Sequence, residues 1–261
     1  MVKKLSWSGG VNACLDQPVV ELVGSVGVGR YGGYGSTKNE DGLVLWSATD
    51  WTFAVLLDGH GGSSSVDAVL DLFGSAEPEL MPLCTAADGS AIPLLQRKLV
   101  DLLTSEATSR HMSKVAGETA CLVCYQWRQH LLWLSIGDNT LYLLHPELSR
   151  LGQFTLTTRN FFEWIGERNS LAGVPPYFST GIRQLRTGKN VIVLATDGIQ
   201  ELPGRTYEEP SAFAAAFQSQ PDNLSALKFM LSNAKLAQGR DSSTLIAWNV
   251  DNAEPALMPS S

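Results

Sequence analysis

The sequence predicts an α+β fold in which strand hairpins alternate with pairs of helices. Apolar runs rich in strand-forming residues come in closely spaced pairs, such as 42–48 and 53–57, which are joined by a very short turn. Other segments repeat apolar residues every three to four positions, as helices with one packed face do. The two strands of a hairpin pair antiparallel.

The predicted strands are short apolar runs bounded by turn residues. They lie at 19–28, 42–48, 53–57, 117–127, 130–135, 141–144, 190–196 and 245–250. The predicted helices lie at 63–73, 92–112, 211–218 and 224–238. The first of them ends before a stretch broken by prolines and Asp88-Gly89. We assign 1–18 to an N-terminal extension, 19–251 to a single domain and 252–261 to a C-terminal tail.

Composition excludes several classes of protein. The net charge of −7 disfavours a nucleic-acid partner. No apolar run is long enough to span a bilayer, and the first residues lack the apolar segment of a signal peptide. Four cysteines in 261 residues do not form a disulfide framework, so we expect a cytoplasmic protein. If such an acidic chain acts on anionic substrates, its site needs cations, and metal ions are the first candidates.

A glycine-rich segment at Gly27–Gly32 matches the dinucleotide-binding pattern G-x-G-x-x-G. That fingerprint requires a helix to begin inside it, so that the helix N-terminus meets the pyrophosphate. Here Gly33-Tyr-Gly-Ser-Thr follows, which is more loop. A dinucleotide-dependent oxidoreductase is therefore a distant alternative.

Residues 155–184 form the least regular part of the chain. The segment contains glycines, a Pro-Pro pair and several aromatic residues. Its arginines, within it or just beyond, are Arg159, Arg168, Arg183 and Arg186. Long irregular inserts of this kind often act as flaps or binding loops.

The stretch most informative about function is WTFAVLLDGHGG, at 51–62. Its apolar run, Phe53–Leu57, is typical of a strand buried on both faces, and it ends at Asp58 in a glycine-rich turn. A lone Asp-Gly at a strand end usually caps a helix, but a carboxylate in this position can also hold a cation. Its partners elsewhere in the chain decide between the two.

Further carboxylates occupy similar positions. Asp138 and Asp197 each end an apolar strand with a glycine beside them, and Asp241 shortly precedes a strand. A hairpin between 42–48 and 53–57 would also bring Glu40 and Asp41 next to Asp58.

These acids predict a site for hard divalent cations. Carboxylates gathered at one end of a sheet repel one another unless cations neutralise them. Oxygen ligands suit Mg²⁺ or Mn²⁺, and only four histidines disfavour zinc or non-haem iron. Two such ions would generate a hydroxide and stabilise an in-line displacement at phosphorus, with His60 as proton donor.

The ordered motifs NED, DGHGG, GD, TDG and RDxxT resemble the metal-dependent protein phosphatases of type 2C, in particular the compact bacterial members. The resemblance spans about Ser25 to Val250. It implies a four-layer α-β-β-α sandwich of two antiparallel sheets flanked by helices, with metals at one end. It also implies a Mn²⁺- or Mg²⁺-dependent protein serine/threonine phosphatase in which metal-activated water attacks phosphorus in line, without a covalent phosphoenzyme.

The resemblance also assigns ligands for two ions. Asp58 resembles the carboxylate that bridges both metals, and the Gly59 carbonyl resembles a further ligand. Asp197 and Asp241 resemble the remaining ligands of the first metal.

Other residues follow by position. Glu40 resembles the acid that reaches the second metal, with Asp41 supporting it at the metal site. Asp138 resembles the residue that holds a third, weaker metal in many bacterial members. His60 resembles the general acid. The implied partner is a protein carrying phosphoserine or phosphothreonine, and we expect a monomer that binds neither nucleic acid nor membrane.

The sequence departs from the pattern at the phosphate grip. The family usually has an arginine four residues before the glutamate, and here that position is Ser36. Lys38 and Arg30 are candidates to replace it, although a lysine lacks the bidentate fork. The usual Asp-His pair is also replaced, by 157–160.

These departures support a second hypothesis, which is a metal-binding pseudophosphatase or regulatory module with weak or no turnover.

Overall fold

The computed structural model describes residues 1–15 and 17–255. Two antiparallel sheets pack face to face, and helices cover the outer face of each. The predicted α+β class and four-layer sandwich are confirmed.

The first sheet has six strands in line and one short strand beside them. Its spatial order is β1 (Lys3–Ser8), β4 (Gly42–Ser47), β5 (Trp51–His60), β6 (Glu118–Trp127), β7 (His130–Ile136) and β10 (Ser179–Gln184), and β9 (Ile165–Gly166) pairs with β6.

The second sheet has five strands. Its spatial order is β2 (Val19–Val23), β3 (Val26–Tyr31), β12 (Ser243–Asn252), β11 (Gly188–Ala195) and β8 (Thr140–Leu144).

The helices form the outer layers. Those packed on the first sheet are α1 (Ser64–Cys84), α2 (Ala91–Thr104) and α3 (Glu106–Met112). The short α4 (Pro146–Arg150) follows β8. Those packed on the second sheet are α5 (Pro210–Gln218) and α6 (Asn223–Leu236).

β5 shows why both faces of its sheet are apolar. Successive strand residues point to opposite faces. Phe53, Val55 and Leu57 pack with the helices, whereas Ala54 and Leu56 pack between the two sheets. An unbroken apolar run therefore satisfies two interfaces, as predicted for this stretch.

The predicted strand at 19–28 is wrong in extent, because it is a hairpin of β2 and β3 whose turn holds Gly24 at φ +65°. Gly27 and Gly29 lie in β3 and face α6. A Cβ at either position would come within 2.8 Å of a leucine methyl group of that helix. The glycines allow close packing between strand and helix, so they do not form a dinucleotide-binding turn.

Two predicted helices also differ in extent. α1 continues past residue 73 to Cys84 because its buried face continues over that length. Pro78 and Pro82 lie on the exposed face of the helix. The predicted helix at 92–112 is two helices that break at Ser105. The Ser105 hydroxyl caps the second by accepting a hydrogen bond from the Thr108 N–H.

The ends of the domain also differ from the prediction. β1 pairs with β4, so residues 3–8 are an edge strand of the fold and not an extension outside it. β12 runs to Asn252, and residues 256–261 of the predicted tail lie outside the described residues. The insert ends in a regular strand, β10, at the far edge of the first sheet. Among the described residues, no helix is long and apolar enough to cross a membrane.

Candidate metal centre

The predicted acids meet at one end of the sandwich because strands of both sheets end there. Asp58 lies near the end of β5 and Asp138 follows β7, both in the first sheet. Asp197 follows β11 and Asp241 precedes β12, which are neighbours in the second sheet. The Asp197 N–H donates to Asp58 Oδ2 at 3.3 Å and thus links the two sheets directly.

The register of the β4–β5 hairpin brings the second group of acids to the same place. Gly42 pairs with Leu57, so Asp41 and Asp58 are the next residues along the two strands. A Cβ on Gly59 would approach the Glu40 carbonyl to 2.5 Å, which shows how closely the two backbones pass. The predicted proximity of Glu40 and Asp41 to Asp58 is confirmed.

Asp41 is fully buried and is held by three hydroxyl groups. Thr244, Ser242 and Thr196 donate to its carboxylate at 2.6, 2.9 and 3.3 Å. Burial raises its pKa to about 7, although these hydrogen bonds oppose the shift. The Ser242 hydroxyl therefore helps to fix this carboxylate.

The electrostatics of the site indicate an excess of negative charge. Burial, and then the carboxylate of Asp197, raise the pKa of Asp58 well above its usual value. Burial and the charge of Asp138 raise the pKa of Asp197 to about 8. Partial desolvation also raises the pKa of Asp241, which is exposed at the rim of the site. These carboxylates cannot all be charged without a cation beside them.

Two oxygens of the cluster, Asp197 Oδ1 and Glu40 Oε1, are buried and find no hydrogen-bond partner in the part of the chain that the structure describes. Within the described residues, however, no three Asp, Glu, His or Cys side chains converge closely enough to enclose one ion as they stand. Ion binding therefore requires these side chains to move closer together.

His60 ends β5 and is exposed, with its ring 5.3 Å from the ring of Trp164. Its charge lowers the pKa values of Asp138 and Asp241, although burial raises both overall, so the imidazole lies near both carboxylates. His60, the predicted general acid, therefore lies at the exposed edge of the carboxylate cluster.

The structure distinguishes between the two candidates for the side chain that binds the substrate phosphate. Lys38 is 62% exposed and its Nζ lies 2.6 Å from Glu40 Oε2, at the edge of the cluster. Arg30 is buried, pairs with Glu21 and stacks 5.1 Å from the Trp7 ring. Its guanidinium is thus engaged elsewhere, and Lys38 is the better candidate of the two.

The sequence did not single out Arg159. Its Nη2 lies 3.3 Å from Asp197 Oδ2, 3.8 Å from Asp138 Oδ2 and 2.6 Å from Glu201 Oε1. Among the described arginines, it alone forms an ion pair with the strand-end aspartates of the cluster. The available signal was its place in 157–160, where the type 2C pattern has an Asp-His pair.

Solved structures with the same architecture are serine/threonine phosphatases. A bacterial serine phosphatase matches with a TM-score of 0.64 and 16% identity over 89% of this chain and 99% of that chain. The S. agalactiae serine/threonine phosphatase matches with a TM-score of 0.61 and 14% identity, over 96% and 99% of the two chains. The catalytic domain of the serine/threonine protein phosphatase PstP, in complex with two manganese ions, gives 0.60 and 16%, over 96% and 100%.

At these identities the comparison establishes the fold. The chain has the fold of the bacterial type 2C serine/threonine phosphatases, as predicted. No protein-family model and no curated protein matches the sequence.

Proposed function

We propose that this protein is a Mn²⁺- or Mg²⁺-dependent phosphomonoester hydrolase acting on phosphoserine or phosphothreonine in proteins. One observation carries the proposal: Asp58, Asp138, Asp197 and Asp241 gather at one end of a serine/threonine phosphatase fold, where burial raises the pKa of each carboxyl group. Burying several carboxylates together is unfavourable, and divalent cations would offset that cost.

The residues of the cluster fit two hard divalent ions. All the available donors are oxygens, and the buried, unpartnered Asp197 Oδ1 and Glu40 Oε1 have lone pairs to offer. Asp58, Asp197 and Asp241 would hold one ion, and Asp58, the Gly59 carbonyl and Glu40 the other. When bound, such a pair supplies positive charge to phosphoryl oxygens and lowers the pKa of water.

His60 would supply the proton for the departing serine or threonine oxygen. Its exposure at the end of β5 lets a substrate reach it, and its imidazole lies near the carboxylates of Asp138 and Asp241. An alkoxide is a poor leaving group, so this proton matters most for phosphoserine and phosphothreonine.

Lys38 would hold the substrate phosphate. Its ammonium group already lies beside Glu40 and is exposed to solvent, so a phosphate entering at that edge can pair with it. Ser36 stands where the type 2C phosphatase pattern has an arginine, and its side chain carries no charge. Its hydroxyl donates to the Lys38 carbonyl.

The direct test is phosphate release from p-nitrophenyl phosphate and from a phosphoserine peptide, with Mn²⁺ and then with excess EDTA. We expect release with Mn²⁺ and none with EDTA. Asp197→Asn should abolish release, whereas Asp101→Asn, an exposed position on α2, should not change it. Equal rates with Mn²⁺ and EDTA would rule out the proposal.

A second candidate is a metal-binding module that recognises a phosphoprotein without hydrolysing it. The absence of a cationic side chain at Ser36 favours it, because a lysine alone grips phosphate less firmly than an arginine fork. Mn²⁺ binding and phosphopeptide binding without phosphate release would support this candidate. In either case we propose a cytoplasmic monomer.

A further inference from the structure

Arg159 lies in the middle of the carboxylate cluster. A single guanidinium nitrogen, Nη2, faces Asp197 at 3.3 Å, Asp138 at 3.8 Å and Glu201 at 2.6 Å. The side chains of Asp138 and Asp197 are only 6% and 7% exposed, so their charges are poorly screened by water. A cation shared by two buried carboxylates occupies the position that a metal ion would take between them.

The backbone around Arg159 fixes it there. The Thr157 hydroxyl donates to the Asn139 carbonyl, and the Asn160 N–H donates to the Gly137 carbonyl. These bonds hold the segment against the turn between β7 and β8, which carries Asp138. The guanidinium also lies 4.8 Å from the Phe161 ring.

A second arginine of the same insert shows the contrast. Arg168 is 87% exposed, and its Nε approaches Glu118 only to 3.8 Å. Surface pairs of that kind contribute little to stability. The Arg159 side chain is only 21% exposed and lies beside three acidic side chains, so it is an integral part of the site.

The two oxygens of Asp197 differ in their surroundings. Oδ2 faces Arg159, whereas Oδ1 is buried and has no hydrogen-bond partner among the described residues. The arginine thus leaves one oxygen of this carboxylate free for an ion on the other side.

We propose that Arg159 is the resident cation of the Asp138–Asp197 pair and excludes a divalent ion from it. The proposal rests on the proposed function, in which Asp58, Asp197 and Asp241 hold ions nearby. The chain would then bind two metal ions, with Asp138 as a partner of the arginine and not as a metal ligand. A cavity of about 350 Å³ borders Arg159 and Glu201, so removing the guanidinium would open space beside it.

The experiment counts Mn²⁺ ions per chain in metal-stripped protein, by calorimetric titration and by electron paramagnetic resonance of free Mn²⁺. We expect Arg159→Gln to bind one ion more than the wild type. Arg159→Lys, which keeps the charge, and Arg168→Gln, the matched arginine of the insert, should bind the wild-type number. An unchanged count in folded Arg159→Gln overturns the proposal.

Asp138→Asn locates the gained ion and guards against a misfolded arginine variant. In the wild-type background it should leave the ion count unchanged, and in the Arg159→Gln background it should remove the extra ion. Loss of an ion from the single Asp138→Asn variant would show that Asp138 is already a ligand, which contradicts the proposal. A wild type that binds no Mn²⁺ would instead contradict the hydrolase, since Arg159 is tested by the difference between variants.

Discussion

At the scale of single residues, Asp197 connects the two sheets at the carboxylate cluster. Its N–H donates to Asp58, and one of its oxygens is buried with no hydrogen-bond partner among the described residues. Asp197→Asn keeps the shape of the side chain but removes its negative charge, because one neutral amide oxygen replaces two carboxylate oxygens. We expect kcat with Mn²⁺ to fall at least about 100-fold, since such ions contribute several kcal/mol to transition-state stabilisation.

The measurement is steady-state kinetics with p-nitrophenyl phosphate, alongside Asp101→Asn as the exposed control. Circular dichroism should show both variants folded. Wild-type kcat in folded Asp197→Asn would remove this carboxylate from the mechanism.

His60 can be tested by comparing leaving groups. Removing a proton donor should slow departure of a serine alkoxide by about 100-fold or more, and p-nitrophenolate much less, because the latter leaves without a proton. We therefore expect His60→Gln to lower kcat on a phosphoserine peptide far more than on p-nitrophenyl phosphate. His111→Gln, an exposed histidine of α3, is the matched control. Equal losses on both substrates would argue for a structural role of His60.

Residue type and position predicted part of this site. Asp58, Asp138 and Asp197 are recognisable because each ends or follows a buried apolar run, and strand ends converge wherever a sandwich ends. Arg159 gave no comparable signal, since it lies in a segment without periodicity and is placed by two hydrogen bonds to the β7–β8 turn. Arg30 was a candidate to bind the substrate phosphate, but Glu21 and Trp7 engage its guanidinium. These partners come from other strands, so the local sequence does not reveal them.

At the scale of elements, the approach of α6 to β3 depends on glycine. A methyl group at Gly29 would lie 2.8 Å from a methyl of Leu231 and 3.4 Å from Leu227. We expect Gly29→Ala to destabilise the protein by about 1–3 kcal/mol, as overpacking does. Gly74→Ala, on the exposed side of α1 with nothing within 4 Å, should stabilise it by about 1 kcal/mol.

Urea denaturation of the two variants checks the pair of predictions. Opposite signs are expected because both glycines gain the same methyl group but only one meets a neighbour. If Gly29→Ala were as stable as the wild type, close packing would not be the reason for glycine in β3.

Element types were predictable from periodicity, and element boundaries were not. α1 and α2 present the expected apolar stripes, but the length of α1 depends on Leu80 and Cys84 packing against a sheet, which outweighs two internal prolines. The break at Ser105 depends on a cap that local spacing alone does not distinguish from a helix interior.

At the scale of the whole molecule, the buried acids make stability depend on pH. The pKa of Asp41 is about 7 and that of Asp197 about 8, against an ordinary value of 3.8, so the native state keeps protons that the unfolded chain has released. The free energy of unfolding of the metal-free protein should therefore fall as pH rises from about 4 to about 8. Asp197→Asn should flatten this dependence.

The check is urea denaturation in EDTA at several pH values across that range. A stability that rises toward pH 8 in the absence of metal would contradict the assignment of these protonation states.

Divalent ions should offset the loss of stability at high pH. A ligand that binds only the native state stabilises it by about 2.7 kcal/mol at 100 times its Kd. We expect Mn²⁺ to raise Tm at pH 8 more than at pH 5.5, where protons compete for the carboxylates. A shift that is the same at both values, or no shift, would indicate that the ions do not bind at the acids.

The architecture could be predicted from the sequence because hairpins and paired helices leave few ways to cover both faces of two sheets. The strand order of the second sheet could not be predicted, since it depends on which apolar faces meet. There β12, the last strand along the chain, inserts between β3 and β11.

That central placement has a consequence for biosynthesis. As the polypeptide leaves the ribosome, β3 and β11 emerge well before the strand that must join them, and Asp241 arrives only with it. A nascent chain therefore cannot complete the carboxylate cluster until its last strand is inserted.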